Sequence, residues 1–176
     1  MPVVGRLSLL SIGLAAFVPG CSPTLDWRQV RAEGGAVTLL LPCKPERRTR
    51  PVVLGDVSAT VEVLACGAGG TTWGLTSADM GEPAQVGPAL AALRAARSDN
   101  LEGRETEARA VRFAKLASEP PPLRLRVEGR KPDGQPIVEH SLLFAHGSHV
   151  FHAAALGGAP SDRALETFFE GLEPAR

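Results

Sequence analysis

The sequence lacks most of the features that identify an enzyme or a nucleic-acid-binding protein. It has no tyrosine and only two tryptophans, so few aromatic side chains are available to stack on sugar rings. It contains no G-x-S-x-G, H-E-x-x-H, C-x-x-C or phosphate-binding glycine-rich motif. Its 19 basic residues are balanced by 19 acidic ones, so no net field attracts nucleic acid. We therefore expect no nucleic-acid partner, no cofactor and a function that leans away from catalysis.

The chain also has no apolar run long enough to cross a membrane, but it begins with a shorter one. Arg6 precedes the apolar run 7–18, which is followed by Pro19-Gly20-Cys21. A spanning helix takes about 20 apolar residues. A run of this length behind a basic residue is typical of the apolar core of a signal peptide.

The residues Val18-Pro19-Gly20-Cys21 resemble the lipobox of bacterial lipoproteins, with an aliphatic residue three before a cysteine and a small residue directly before it. The resemblance implies that residues 1–20 are a signal peptide, that the Cys21 thiol takes a diacylglycerol, and that its new amine takes an acyl chain such as palmitate. Two or three acyl chains anchor a protein stably where one binds marginally. The alternative is ordinary secretion with a free thiol at Cys21.

The mature chain predicted in this way has the size of a single domain. Residues 21–35 predict a polar tether in which Trp27 pins the middle to the domain, and residues 36–176 predict one folded unit. We expect an anchor facing the periplasm, with the membrane and an envelope protein as partners. Ser22, where Asp favours inner-membrane retention in Gram-negative lipoproteins, favours the outer membrane by analogy.

Assigning Cys21 to lipid leaves two further cysteines. Cys43 and Cys66 form an even pair, which in an oxidising periplasm predicts a disulfide. The alternatives are two buried free thiols or half of a metal site. Zinc is disfavoured because no cysteine lies close to a histidine in the sequence.

Hydrophobic periodicity predicts strands, a helix, further strands and a closing helix. Strands are indicated over 36–42, 51–55, 58–66, 71–78, 123–128, 136–145 and 148–156, with 108–116 as a weaker candidate. One helix is predicted to start near Pro88, and another after the N-cap Ser161. The expected fold class is α+β, with an antiparallel β-sheet of about six to seven strands and a mid-chain and a C-terminal helix packed on it.

This order of elements, over roughly residues 36–173, resembles the PsbP-like sandwich, and the chain also resembles proteobacterial lipoproteins of this size. The resemblance is one of element order without a shared motif. It therefore implies a fold and carries over no functional residue.

Two groups of basic residues form the candidate contact surface. Residues 44–50, interpreted as a turn, are suited to acidic lipid headgroups near the anchor, at about 1 kcal/mol per basic residue. A strand on which arginines alternate with apolar residues can grip a carboxylate or phosphate. The alternative for both is a solvated face. The residues are Lys44, Arg47, Arg48, Arg50, Arg124 and Arg126.

The four histidines are the only clustered titratable group. If His146-Gly147 is a two-residue hairpin turn, Ala145 pairs with Ser148 and His152 points away from the face that His140 and His149 share. His140 and His149 are then more than about 10 Å apart, too far for one metal ion. We predict no metal site. Two alternatives remain open: a metal-binding protein using His146 and His149 with a nearby carboxylate, and a small-ligand module with a pocket between sheet and helix.

Overall fold

The computed structural model describes residues 24–32, 36–113, 115 and 118–175. The predicted signal peptide and Cys21 lie outside this range. The strands are β1 (Arg28–Arg31), β2 (Val37–Leu41), β3 (Glu46–Leu54), β4 (Val57–Ala68), β5 (Thr71–Asp79), β6 (Arg104–Ala110), β7 (Leu123–Arg130), β8 (Pro136–His146), β9 (His149–Leu156) and β10 (Glu173–Pro174), and the helices are α1 (Val86–Asn100) and α2 (Asp162–Glu170).

The strands form two antiparallel sheets. The larger has seven strands in the order β3-β4-β5-β9-β8-β7-β6, and the smaller has the order β1-β2-β10. With its mid-chain and C-terminal helices, the structure confirms the predicted α+β class.

Helix α1 covers one face of the large sheet. Its buried side chains, including Ala89, Leu90 and Leu93, pack against sheet residues such as Leu143 and Val150. The helix begins two residues before Pro88, which lies in the first turn, where the missing N–H breaks no helical hydrogen bond. The predicted helix start near Pro88 is therefore confirmed.

The small sheet and α2 cover the opposite face. Trp73 of β5 is 1% exposed and packs edge-on against two other rings, Trp27 at 5.9 Å and Phe168 of α2 at 5.2 Å between centroids. The Ser161 Oγ accepts a hydrogen bond from the Ala164 N–H at 3.3 Å and caps α2, as predicted. Trp27 pins the N-terminal segment to the core, also as predicted.

The predicted disulfide is present. Cys43 follows β2 of the small sheet and is bonded to Cys66 in β4 of the large sheet. The bond therefore ties the two sheets together at one end of the molecule.

Some predicted boundaries were wrong, and exposed strands account for most of them. The predicted tether contains β1, which pairs with β2. The predicted basic turn is mostly strand, since β3 begins at Glu46 and pairs with β4 along its whole length. The weak candidate at 108–116 is replaced by β6, at Arg104–Ala110. Both β3 and β6 are sheet edges, where charged side chains and Pro51 hide the hydrophobic alternation.

We expect the disulfide to stabilise the fold by about 3 kcal/mol, because it closes a loop with a sequence separation of 23 residues in the unfolded chain. Chemical denaturation with and without reductant measures this difference. The Cys43→Ala/Cys66→Ala variant should match the reduced protein and be insensitive to reductant. Equal unfolding free energies for oxidised and reduced protein would contradict the prediction.

Candidate functional site

The histidine hairpin differs from the prediction by one residue pair. His146 pairs directly with His149, and Ala145 with Val150, so Gly147-Ser148 is the turn. Gly147 has φ +61°, which suits the first position of such a turn. His140 and His149 do share a face, and His152 points to the other, as predicted.

The turn histidines are not part of a metal site in the described part of the chain. No group of three or more His, Cys, Asp or Glu residues there is placed to hold a metal ion. The nearest carboxylate, Asp79, lies 3.9 Å from His149 and accepts hydrogen bonds from the Ser148 hydroxyl (2.6 Å) and the Gly81 N–H (2.9 Å). These hydrogen bonds lower the pKa of Asp79 and fix the turn. These contacts of Asp79 stabilise the hairpin turn.

The basic residues of segment 44–50 lie along one edge of the large sheet. Arg47 forms an ion pair with the buried Glu62 and donates a hydrogen bond to the Arg31 carbonyl at 2.9 Å. Arg48 pairs with Glu46 at 2.8 Å. Lys44 and Arg50 are exposed. Arg47 thus stabilises the fold, while its neighbours face solvent.

The two halves of the candidate contact surface are far apart. Strand β3 is five positions from β7 in the sheet order, a separation of about 24 Å at normal strand spacing. Arg124 and Arg126 are also half-buried rather than on an open face. The structure therefore does not bring Arg47 and Arg48 together with Arg124.

Arg124 is a predicted site residue that lines a cavity. Its guanidinium carbon lies 3.5 Å above the ring centroid of Phe169 in α2. Its neighbour Arg126 is instead paired with Glu128. Within the described residues Arg124 forms no ion pair. The contact that holds its guanidinium in place is the cation–π interaction with Phe169.

The cavity is a cleft of about 580 Å³ between α2 and the β6–β7–β8 end of the large sheet. Leu165, Phe169 and Phe113 supply its apolar lining. The charged and titratable lining residues are Glu107, Arg109, Arg112, Arg124, His140, Asp162, Glu166 and Glu170. The lining is therefore mostly charged, with a smaller apolar part, and its volume lies within the range of small-molecule pockets.

Burial sets the electrostatics of this cleft. Burial, together with a smaller effect of the nearby Arg109, lowers the pKa of Arg124 to about 10, while Glu107 and Glu166 oppose the shift. The guanidinium remains charged at neutral pH. Burial also lowers the pKa of His140, with Arg126 and Arg124 acting in the same direction, so His140 is neutral at pH 7. The cleft therefore presents a fixed, partly desolvated cation beside a neutral imidazole.

A second titratable pair lies buried on the α1 face of the sheet. His152 and Glu139 are each 3% exposed, with Nε2 3.1 Å from Oε1. Burial lowers the pKa of His152, and the Glu139 hydrogen bond opposes this. Burial alone would raise the pKa of Glu139, but the hydrogen bond and charge of His152 and the charge of Arg97 lower it. At neutral pH a neutral imidazole thus donates to a carboxylate.

Sequence reasoning missed the α2 side of the cleft. Asp162, Glu166 and Glu170 are spaced four residues apart on the helix and line the cleft together. The spacing was visible in the sequence, but nothing there indicated that this face of α2 lies opposite Arg124. The two sides are almost forty residues apart in the chain.

Comparisons with known proteins give no family. No protein-family model and no curated protein sequence matches the chain. Among solved structures, a Pseudomonas aeruginosa protein of unknown function aligns over 80% of this chain and 88% of its own, with 9% identity and a TM-score of 0.36. A Bacteroides thetaiotaomicron protein aligns over 86% of this chain and 42% of its own, with 13% identity and a TM-score of 0.30. Scores this low carry no argument about fold or function.

No helix in the described ranges has the length and apolar character needed to span a bilayer.

We expect the His152–Glu139 pair to make the fold acid-sensitive. As pH falls below 6.5, the ordinary pKa of histidine, the unfolded chain takes up a proton that buried His152 resists, so the free energy of unfolding decreases. Glu139 acts in the same direction below 4.5, because its pKa is also lowered on folding. The slope from His152 is at most about 1.4 kcal/mol per pH unit.

Denaturant unfolding between pH 8 and pH 4.5 measures this dependence. His152→Gln, which keeps a donor for Glu139 but does not titrate, should reduce the slope of the profile between pH 6.5 and pH 5, and His140, whose pKa is also lowered, contributes the remainder. His146→Gln, at the hairpin turn, is the matched control and should retain it. An unchanged profile for His152→Gln would disprove the assignment.

Proposed function

We propose that this protein is a lipid-anchored component of the bacterial cell envelope, facing the periplasm from the outer membrane, that acts by non-covalent binding through the cleft beside Arg124. The anchor is supported by the lipobox at Cys21 and the binding role by the structure of the cleft. Its partner is an envelope protein or a smaller ligand that enters the cleft. We favour this role over the metal-binding alternative because Asp79, the carboxylate beside His149, already accepts hydrogen bonds from the Ser148 hydroxyl and the Gly81 N–H.

The position of Thr24 in the fold is compatible with a membrane anchor at Cys21. Thr24 is three residues from Cys21, and three residues span at most about 11 Å. A Cβ added at Gly69 would lie 3.6 Å from atoms of both Thr24 and Leu25, so the chain enters beside the β4–β5 hairpin. An anchor at Cys21 would hold this end of the sheet near the bilayer surface.

One residue of the basic segment, Lys44, lies at the same end. Lys44 adjoins Cys43, whose disulfide partner Cys66 is close to the β4–β5 hairpin. An exposed basic residue near an anionic surface adds about 1 kcal/mol of attraction. Lys44 could reinforce a lipid anchor in this way, whereas Arg48 and Arg50 pair with Val63 and Val61, further from this end.

The observation that carries the binding role is the half-buried Arg124 guanidinium, which stacks on Phe169 and faces the cleft without a carboxylate bound to it in the described structure. Desolvating a cation costs free energy unless a partner compensates for it. A guanidinium also stays protonated, so it binds and orients an oxyanion rather than transferring a proton. These properties support a recognition site that is completed by a ligand.

The anchor is tested by growing cells with labelled palmitate. Wild-type protein should incorporate label and sediment with membranes, and Cys21→Ala should do neither, because the acylated thiol is lost. Cys43→Ala/Cys66→Ala controls for general cysteine modification and should remain labelled. Label-free wild-type protein would refute the anchor.

The cleft is tested by placing a photo-crosslinking amino acid at Ala110, which lines it, and at Asp56, in the β3–β4 turn, as a control. Irradiation of intact cells should give adducts at position 110, detected by intact mass whether the partner is large or small. Adding Arg124→Met should remove them, while Arg126→Met should not, because Arg126 pairs with Glu128 outside the cleft. Identical adducts at both probe positions would rule out the cleft as the site.

A further inference from the structure

The charges of the cleft are arranged on two opposing walls. One wall is α2, whose exposed face places Asp162, Glu166 and Glu170 one turn apart. The other wall is the end of β6, the segment that follows it and the neighbouring β7, which supply Arg109, Arg112 and Arg124. The apolar lining includes Leu165, Phe169 and Phe113.

The two walls do not neutralise each other by direct contact. Arg109 is paired with Glu107 of its own strand, at 2.8 Å. In the described part of the chain no ion pair joins an α2 carboxylate to Arg112 or Arg124, although Glu166 is near enough to act on Arg124 through space. The gap between the walls therefore keeps a positive side and a negative side.

This arrangement does not suit a ligand with charge of one sign only. Arg124 alone favours an anion, but the cleft as a whole has four carboxylates and three guanidiniums, with His140 neutral. A simple anion that approaches Arg124 also approaches Glu107 and Glu166. A ligand that carries both charges interacts favourably with both walls.

We infer that the cleft binds a zwitterion of the amino-acid or short-peptide class, with its carboxylate on Arg124 and its ammonium group on the Glu166 wall. This inference rests on the proposed role of the cleft as a binding site. The planar guanidinium offers paired N–H donors to a carboxylate. A volume of about 580 Å³ is within the range of small-molecule pockets, and Phe113 and Leu165 offer apolar contacts for a peptide side chain.

The test is a titration of the full chain in detergent, followed by NMR, with a panel of tripeptides made from glycine, leucine, lysine and glutamate. Each peptide is used free, N-acetylated and C-amidated. Blocking either end of a bound peptide should weaken binding at least tenfold. Arg124→Met should remove the preference for a free carboxylate, and Glu166→Gln the preference for a free amine. Arg126→Met should behave as wild type.

Four outcomes would overturn the inference. Equal binding of acetylated and free peptides would show an anion site only, and would leave the proposed function intact. If no tripeptide binds but the cross-link at position 110 persists, the zwitterion is rejected and the cleft remains the binding site. If no tripeptide binds and no cross-link forms at position 110, both proposals are rejected. Tighter binding of glycerophosphoethanolamine, a zwitterion with a phosphate, would assign the cleft to a lipid headgroup instead.

Discussion

The packing of α2 against the large sheet is the constraint on which the cleft depends. Phe168 inserts against Trp73, and the next residue, Phe169, is thereby placed under Arg124. Both rings are buried in the same core, and Phe169 also carries the Arg124 guanidinium on its face. A change that loosens the Phe168–Trp73 contact would disturb the α2 carboxylates and the support of Arg124 together, since both move with the helix.

Much of the fold could be predicted because buried segments keep a clear periodicity. The stripe of Leu165, Phe168 and Phe169 identified α2, and the alternation around Leu125 identified β7. The disulfide was predicted from cysteine parity and compartment alone. The errors fell on strands without a buried face: β6 has six exposed residues among its seven, so its pattern resembles a loop. The register of the β8–β9 hairpin was predicted wrongly because both His146-Gly147 and Gly147-Ser148 are acceptable turns from sequence. The second turn is favoured by the hydrogen bond from Ser148 to Asp79, which lies in β5, a strand distant in the sequence.

The site was less predictable than the fold, for a physical reason. A strand arginine indicates a possible anion contact, and Arg124 was singled out on that basis. Whether such a residue is solvated, paired or held over a ring depends on what packs opposite it, and that is decided by tertiary structure. Arg126, two residues away on the same face, illustrates the point because it is neutralised by Glu128.

The edges of the large sheet have a consequence for the lipid-anchored state proposed above. Lipid-anchored molecules are confined to two dimensions, where collisions between copies are frequent and share one orientation. An open strand edge would then act as a template for sheet-to-sheet association. Strand β3 carries Pro51 and a row of arginines, and β6 is interrupted by a register shift between Glu105 and Glu107. Both ends of the sheet are therefore poor templates, so crowding in a membrane would not lead to filaments.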